Sequence, residues 1–375
     1  MKYALIVMEA NPLHYGHHYL IRRAREDGYR LVILMSGSFT QRGLPVVTDK
    51  FQRARDLIDA GSDLVITLPV QIATSYGEMF SFGAMSIADR LELIDAVYCG
   101  TEWGDNRTFD EIYAFEQRDI FARALKDAMA KGTSYSHAYL DALKKKDPSW
   151  EKLFQSNALL AYGYYKALKA LGADIDLKLV ARTDDPRLPL LSATEIRRLY
   201  ATDPEAASRY SFKTPPQYDE RALCDVLYIL YRFLSTEGPL TLGGYDGYEN
   251  GIDRRIEKNL KTSPNFSDFL SRAQTKRYSK WRISRILLHK LLGLNSEDIR
   301  RAASEQDTFQ VLAYNDAGIR FLSRAKHTSA NLLTNFKHAK KYPSEQRDFL
   351  ANERRATDLW NVLAAGYFGR DFYGK

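Results

Sequence analysis

Residues 11–17 read Asn-Pro-Leu-His-Tyr-Gly-His, directly behind the apolar run Ala4-Leu5-Ile6-Val7-Met8. His14 and His17 flank Gly16 where a strand should give way to a helix. That order suits a nucleoside triphosphate. A helix N-terminus presents backbone donors and a partial positive potential. Glycine removes a side chain where phosphate oxygens must come close, and residues at i and i+3 share one helix face. Imidazoles placed there can donate hydrogen bonds to the charge that builds as pyrophosphate leaves. Pro12 holds the turn open, and Asn11 fixes the loop by bonding to backbone. The competing readings are surface histidines at a helix start, with His18 among them, or a zinc cluster. No acidic or cysteine ligand at suitable spacing supports zinc.

Three other segments carry chemistry. "SGSFTQRG" brings Ser36, Gly37, Gln41 and Arg42, followed by Lys50, a set that suits a substrate carboxylate or an RNA phosphate. "SATEIRR" offers Ser192 or Thr194 as a helix cap and a second helix start for phosphate, with Arg197 one turn on. Between Gln274 and His289, Lys276, Arg277, Lys280, Arg282 and Arg285 are interleaved with Tyr278 and Trp281. Such a surface can track phosphates and stack on an unpaired base. The plainer alternative is an amphipathic helix with Ile283, Ile286, Leu287 and Leu291 packed inward, and the two readings are compatible.

The elements that must position these groups follow from the apolar pattern. Short Val/Ile/Leu-rich runs at 3–8, 31–35, 63–68, 94–99 and 176–181 read as strands, the first four separated by helical segments at about 16–27, 48–60 and 78–91. Thr48 or Asp49 can cap the second helix. This is an α/β, Rossmann-like, doubly wound parallel sheet over residues 1–210, with ligand chemistry expected at the carboxyl ends of the strands. The proline-rich stretch "FKTPPQYDE" marks a junction. Residues 219–375 read as a mainly α-helical, basic second domain. With 375 residues, 45% hydrophobic and 27% charged, the chain is large enough for two cores, and no apolar run approaches the ~20 residues that span a bilayer. A cytoplasmic protein with no membrane association is expected. The net charge of +7 favours a polyanionic partner. Cys99 and Cys224 have no metal-ligand spacing and read as buried thiols.

The His-x-Gly-His signature resembles that of the nucleotidylyltransferase superfamily. Further segments narrow the likeness: 36–69, "ATSYGEMFSFGAMSIAD" (73–89), "YCGTE" (98–102), "LLSATEIRR" (190–198), "QTKRYSKWRISRILLH" (274–289) and "NERRATDLW" (352–360). Together they resemble the bacterial tRNA(Met) cytidine acetate ligase family. That resemblance implies an ATP site made of the 6–20 segment, with Ile6, Val7, Asn11, Pro12, His14, Gly16 and His17, joined by Gly100, Asn157, Arg182 and Thr183. It implies His14, His17 and Arg182 as the catalytic groups, and ATP, assisted by Mg2+, with acetate as substrates. The expected product is acetyl-adenylate, whose acetyl group passes to N4 of the wobble cytidine in elongator methionine tRNA. Asn157 has a second reading, as a cap for the helix that follows it. Where family members commonly show Glu-Tyr-Asn-Pro-Phe-His-Asn-Gly-His, this chain has Ala10, Leu13 and Tyr15 at the varied positions, a change that bears on pocket width and acyl preference.

Two rival functions remain at this level. One is a small-molecule adenylyltransferase, against which the long basic second half argues. The other is an RNA-binding protein that keeps a nucleotide as a structural ligand.

Overall fold

The computed structural model describes residues 1–130, 135–181, 191–236 and 238–364. Five parallel strands, β1 (Tyr3–Met8), β2 (Arg30–Ser36), β3 (Leu64–Leu68), β4 (Ala96–Thr101) and β5 (Asp176–Ala181), stand in the order β5-β4-β1-β2-β3. They lie where the apolar runs place them, because a parallel sheet is covered on both faces and its strands read as continuous hydrophobic stretches. One face packs Leu5, Leu34, Ile66 and Val97 against the helices Gly77–Arg90 and Ser156–Leu171. The other packs Ile6, Ile33, Val65 and Tyr98 against the helices Tyr15–Glu26 and Lys50–Asp59. The winding direction reverses between β1 and β4. The crevice that such a reversal opens therefore lies between the carboxyl ends of these two strands.

Asp49, not Thr48, caps the helix Lys50–Asp59, its Oδ1 accepting from the amides of Phe51 (2.9 Å) and Gln52 (3.0 Å). Both cysteines are buried, and burial, with Glu102 adding to it, pushes the Cys99 thiol up to about 12.

The second half differs from the expected helical character in one respect. β6 (Thr308–Tyr314) adds antiparallel to β3, and β7 (Asn331–Leu333) adds parallel to β6, so the C-terminal half extends the first sheet to seven strands. The run Thr-Phe-Gln-Val-Leu-Ala-Tyr is short and set between helices, a context in which periodicity alone does not separate strand from helix. The helices Glu220–Leu234, Ile252–Thr262, Phe266–Ala273 and Lys280–Leu292 build a further core, yet Phe39, Leu44, Val46 and Val70 from the first half sit inside it. The stretch around 215 is a change of architecture within shared cores. Gln217 N and Tyr218 N both donate to the Val47 carbonyl (2.9 and 3.0 Å), tying that stretch to the loop after β2. The last helix, Ser344–Leu363, closes over the same loop, with Trp360 Nε1 donating to Val46 O at 2.8 Å.

Candidate active site

β1 ends at Met8, and the chain turns through Ala10, whose φ of +47° is left-handed. That conformation costs a non-glycine residue about 1 kcal/mol. Its surroundings hold it. The Asn11 side-chain oxygen accepts from Val47 N at 2.8 Å, and the Asn11–Pro12 bond is cis. His14 then caps the helix Tyr15–Glu26 in extended backbone geometry. Its Nδ1 accepts from Gly16 N (3.1 Å), while His17 Nδ1 accepts from His14 N (3.3 Å), and the two rings stack with centroids 3.8 Å apart. This is a capping box built from imidazoles instead of Ser and Glu. A neutral imidazole that accepts at Nδ1 carries its proton at Nε2. For His17 the proton accordingly sits on Nε2. Burial, and then the neighbouring His14, push the His17 imidazole well below its ordinary range, so it is neutral at pH 7.

The structure changes the reason for Gly16. A Cβ there would lie 2.9 Å from His14 Cε1, so glycine is needed to seat the imidazole. The Gly16 amide is taken by that same ring. His18 stacks on Phe212 (4.2 Å), and Phe212 N donates to Leu13 O at 2.8 Å, so residues 211–212 strap the loop from outside.

Across the crevice, Gly100 has open space where a Cβ would stand. Asn157 lies in the first turn of the helix Ser156–Leu171, whose N-cap position is Gln155. It is held by a residue that local reasoning missed. Glu102, just past β4, accepts from Asn157 Nδ2 (2.6 Å), Asn157 N and Ala158 N (3.2 Å each). Ile6 is buried in the sheet and Val7 partly so; Pro12 is buried in the turn. Arg182 and Thr183 lie outside the described residues.

A second missed residue is Arg53. Fully buried, it donates to Thr48 O (2.9 Å), Glu9 O (2.6 Å), Ser36 O (3.0 Å) and Gly37 O, joining the carboxyl ends of β1 and β2. Burial lowers its pKa to about 10, against the opposing pull of Asp49, Glu9 and Glu353. The guanidinium stays charged at neutral pH.

The model of the HIGH Nucleotidyl Transferase family matches residues 1–370. A tRNA(Met) cytidine acetate ligase of Listeria monocytogenes serovar 1/2a is 31% identical over 399 residues, covering 100% of this chain and 98% of the relative. One from Clostridium perfringens strain SM101 is 30% identical over 391 residues, covering 96% and 94%. The chain belongs to the tRNA(Met) cytidine acetate ligase family, within the HIGH nucleotidyl transferases. Its fold is similar to that of Thermotoga maritima TmcAL bound with alpha-thio ATP, with a TM-score of 0.89, 25% identity and coverage of 100% and 98%. The apo form of that protein gives a TM-score of 0.90 at 24% identity, covering 99% of this chain and 98% of that one.

Against this family frame, several expected site residues turn out to be struts. Lys50 does not face a substrate: it is an internal cation, its side chain 1% exposed, with Nζ on Thr357 Oγ1 (2.9 Å), Gln310 Oε1 (3.0 Å) and Glu353 Oε1 (3.2 Å). Glu353 also accepts from Val70 N at 3.0 Å, so "NERRATDLW" supplies the buried counter-charge for the first half. Ser36 and Gly37 are buried beneath the loop, and a Cβ on Gly37 would meet Glu353 Oε1. Gln41 and Arg42 alone of that set reach the surface. Ser192 is the cap of the helix Ala193–Tyr200, paired with Glu195 in a capping box, so a carboxylate already occupies that helix start. Arg197 is buried, donating to Asn11 O at 2.5 Å and paired with Glu220 at 2.7 Å; it props the His14 loop and does not extend toward a phosphate. Thr194 Oγ1 accepts from both Arg42 and Arg197 at 3.3 Å, which brings "SGSFTQRG" and "SATEIRR" together.

In the basic segment, Tyr278 is buried with its hydroxyl on Asn250 O, and so it does not stack on a base. Lys276, Arg277 and Lys280 are exposed, Trp281 is half-buried under Lys280 and Arg42, and Arg282 and Arg285 are half-buried with carbonyl partners. No helix among the described residues is long and apolar enough to cross a membrane.

Proposed function

We propose that this chain uses ATP to activate acetate as acetyl-adenylate and then acetylates N4 of the wobble cytidine of elongator methionine tRNA, in the cytoplasm. The observation that carries the reading is the pair of interlocked, stacked imidazoles at the start of the helix Tyr15–Glu26, at the reversal point of the sheet. End-to-end similarity to tRNA(Met) cytidine acetate ligases supports the choice of acceptor. A TmcAL bound with alpha-thio ATP supports the nucleotide.

An acetate oxygen attacks the α-phosphorus and the bond to the bridging oxygen of pyrophosphate breaks. His14 and His17 donate to the departing oxygens, with Arg182 beyond β5 as the cationic clamp and Thr183 beside it. Gly100 leaves room for the nucleotide at the end of β4, and Asn157, fixed by Glu102, reads its base or ribose. The N4 amine of cytidine next attacks the acetyl carbon, AMP leaves with the electron pair, and the nitrogen loses a proton. Among the described residues no three His, Cys, Asp or Glu side chains converge as a metal cage. Mg2+, when bound with ATP, would supply neutralising charge for the departing pyrophosphate. Lys276, Arg277, Lys280, Trp281, Arg282 and Arg285, with Gln41 and Arg42, form the RNA-facing side.

Purified protein with ATP, labelled acetate and methionine tRNA is expected to label N4-acetylcytidine and release AMP and pyrophosphate in equal amounts. Unlabelled tRNA under conditions where ATP is bound would overturn the reading.

A further inference from the structure

The resemblance singles out the stretch 73–89, and the adenylation chemistry uses none of it. In the fold it supplies Tyr76 and the helix Gly77–Arg90. This helix crosses the helix Ser156–Leu171 so closely that a Cβ on Gly163 would stand 2.4 Å from Ser81 Oγ. Beside that crossing lies a cavity of about 740 Å³, a volume that suits one small ligand. Tyr113, Tyr139, Phe154 and Tyr162 wall it, and Tyr76 and Tyr135 stand on its open side, 40% and 58% exposed.

Two carboxylates line it: Glu78, exposed at the start of the helix Gly77–Arg90, and Glu116, nearly buried among the rings. Glu116 Oε1 accepts the hydroxyls of Tyr139 and, at 2.8 Å, Tyr162. Among the described residues, Oε2 has only Lys166 Nζ, at 3.6 Å. Burial, with Glu116 close by, holds both tyrosine hydroxyls above their ordinary range, so they remain donors and orient the carboxylate. Oε2 is left as an acceptor for a ligand N–H.

The cavity adjoins the adenylation site. Gln41 lines it, and Gln41 N donates to Glu9 Oε1, just past the end of β1, at 2.8 Å. Ser156, next to Asn157, also lines it, and Tyr162 follows Asn157 by about 7.5 Å of helix rise. The same loop reaches the basic helix, through Arg42 over the Trp281 ring (5.0 Å) and Arg285 Nη1 on Gln41 O (3.4 Å).

We infer that this cavity takes the acceptor cytidine as an unstacked base, its faces against tyrosine rings and its amino group directed to Glu116 Oε2. The inference rests on the RNA-acetylating reading above and adds where the base goes. Aromatic walls accept the face of any base, and a carboxylate selects the amino edge of cytosine. The same carboxylate repels acetate and triphosphate, the other two substrates.

Tyr76→Ala and Tyr135→Ala remove exposed rings and leave the core intact. Glu116→Gln keeps an oxygen for the tyrosine hydroxyls and turns the open acceptor into a donor. Two readouts are paired: acetate-dependent ATP–pyrophosphate exchange without RNA, and the fluorescence of a pyrimidine analogue that keeps an N–H donor, placed at the acceptor position of an anticodon stem-loop. Wild-type protein is expected to quench the analogue. The Tyr76→Ala/Tyr135→Ala double variant and Glu116→Gln should each lose that quench and slow transfer to tRNA at least tenfold, with exchange within twofold of wild type. Unchanged quench and transfer in both variants would overturn the inference, as would exchange falling in step with transfer. The quench is read without any acyl transfer, so a failure of the acetate reaction is distinguishable from a failure of the pocket.

Discussion

At the carboxyl end of β1 the guanidinium of Arg53 is enclosed by four backbone carbonyls, and each imidazole of the His14–His17 pair holds a backbone amide. Along the segment that leads into the helix Lys280–Leu292, by contrast, Lys276, Arg277 and Lys280 stand in solvent, and Arg277 and Arg282 share the single carboxylate of Glu249. The first region spends its polar atoms on itself, so its donors are aimed before a ligand arrives and one altered atom disturbs several others. The second leaves three of its charges exposed to water. Each contributes little, the contributions add, and salt screens them.

The sharpest way to break this contrast is His17→Ala. It removes one Nε2–H donor and one acceptor of the capping box. Acetate-dependent ATP–pyrophosphate exchange is expected to fall about 10²–10³-fold, as for loss of one charge-stabilising donor, while affinity for tRNA holds. A loss under tenfold would mean that the imidazole pair is a helix cap and little else. Arg53→Met comes next. It leaves four carbonyls short of a donor in the interior, at an expected cost of about 3 kcal/mol in unfolding free energy, measured by urea denaturation. A change under 1 kcal/mol would contradict the picture of an interlocked edge.

The interlock also predicts a pH response. His17 is depressed, and His289, buried against Thr74, is lowered to about 3 by burial and then by Arg285. The unfolded imidazoles take protons near 6.5 and the folded ones do not. Their stabilising contribution is therefore complete above about pH 6.5 and shrinks as pH falls toward the depressed folded values, by at most about 1.4 kcal/mol per pH unit for each histidine. Denaturation midpoints between pH 7 and 4 should show this decline, and His289→Gln should flatten it. Protonation of His17 Nδ1 would break its bond from His14 N. The acid limb of the exchange rate should therefore lie below the ordinary imidazole range, and a limb at pH 6.5 would show that His17 is exposed and uncoupled.

How far these two regions could be read in advance differs for a physical reason. The five parallel strands and the His14–Gly16–His17 motif are local patterns, and the sequence carries them in single short windows. Arg53 and Lys50 lie in the helix Lys50–Asp59 and look like ordinary solvated cations, because their partners come from elsewhere in the chain: Glu353 is 303 positions from Lys50. Nothing near Lys50 announces a buried carboxylate. Glu102 lies in "YCGTE", but its partners Asn157 and Ala158 belong to a helix 55 and 56 positions further along the chain. Tyr278 was misread for the converse reason. Basic neighbours suggested a stacking surface, while the buried contact with Asn250 belongs to a turn 28 residues earlier. The strand β6 was missed because its seven residues carry no length signal that separates them from a helix turn.

The smallest effects should come from the exposed cations, and they sharpen the comparison by their arithmetic. Lys280→Ala and Arg277→Ala each remove one solvent-facing charge. If these residues track phosphates, each should weaken tRNA binding a few-fold at moderate salt. Each should also reduce the slope of log affinity against log salt by about 0.7–0.9, the counterions released per phosphate contact. The double variant should show the sum, since the two groups share no buried partner. Arg277 also pairs with Glu249, so Glu249→Gln frees its charge, and binding should tighten slightly instead of weakening. A salt slope that ignores all three changes would remove this segment from the RNA path and leave the loop at Gln41 and Arg42 to carry it.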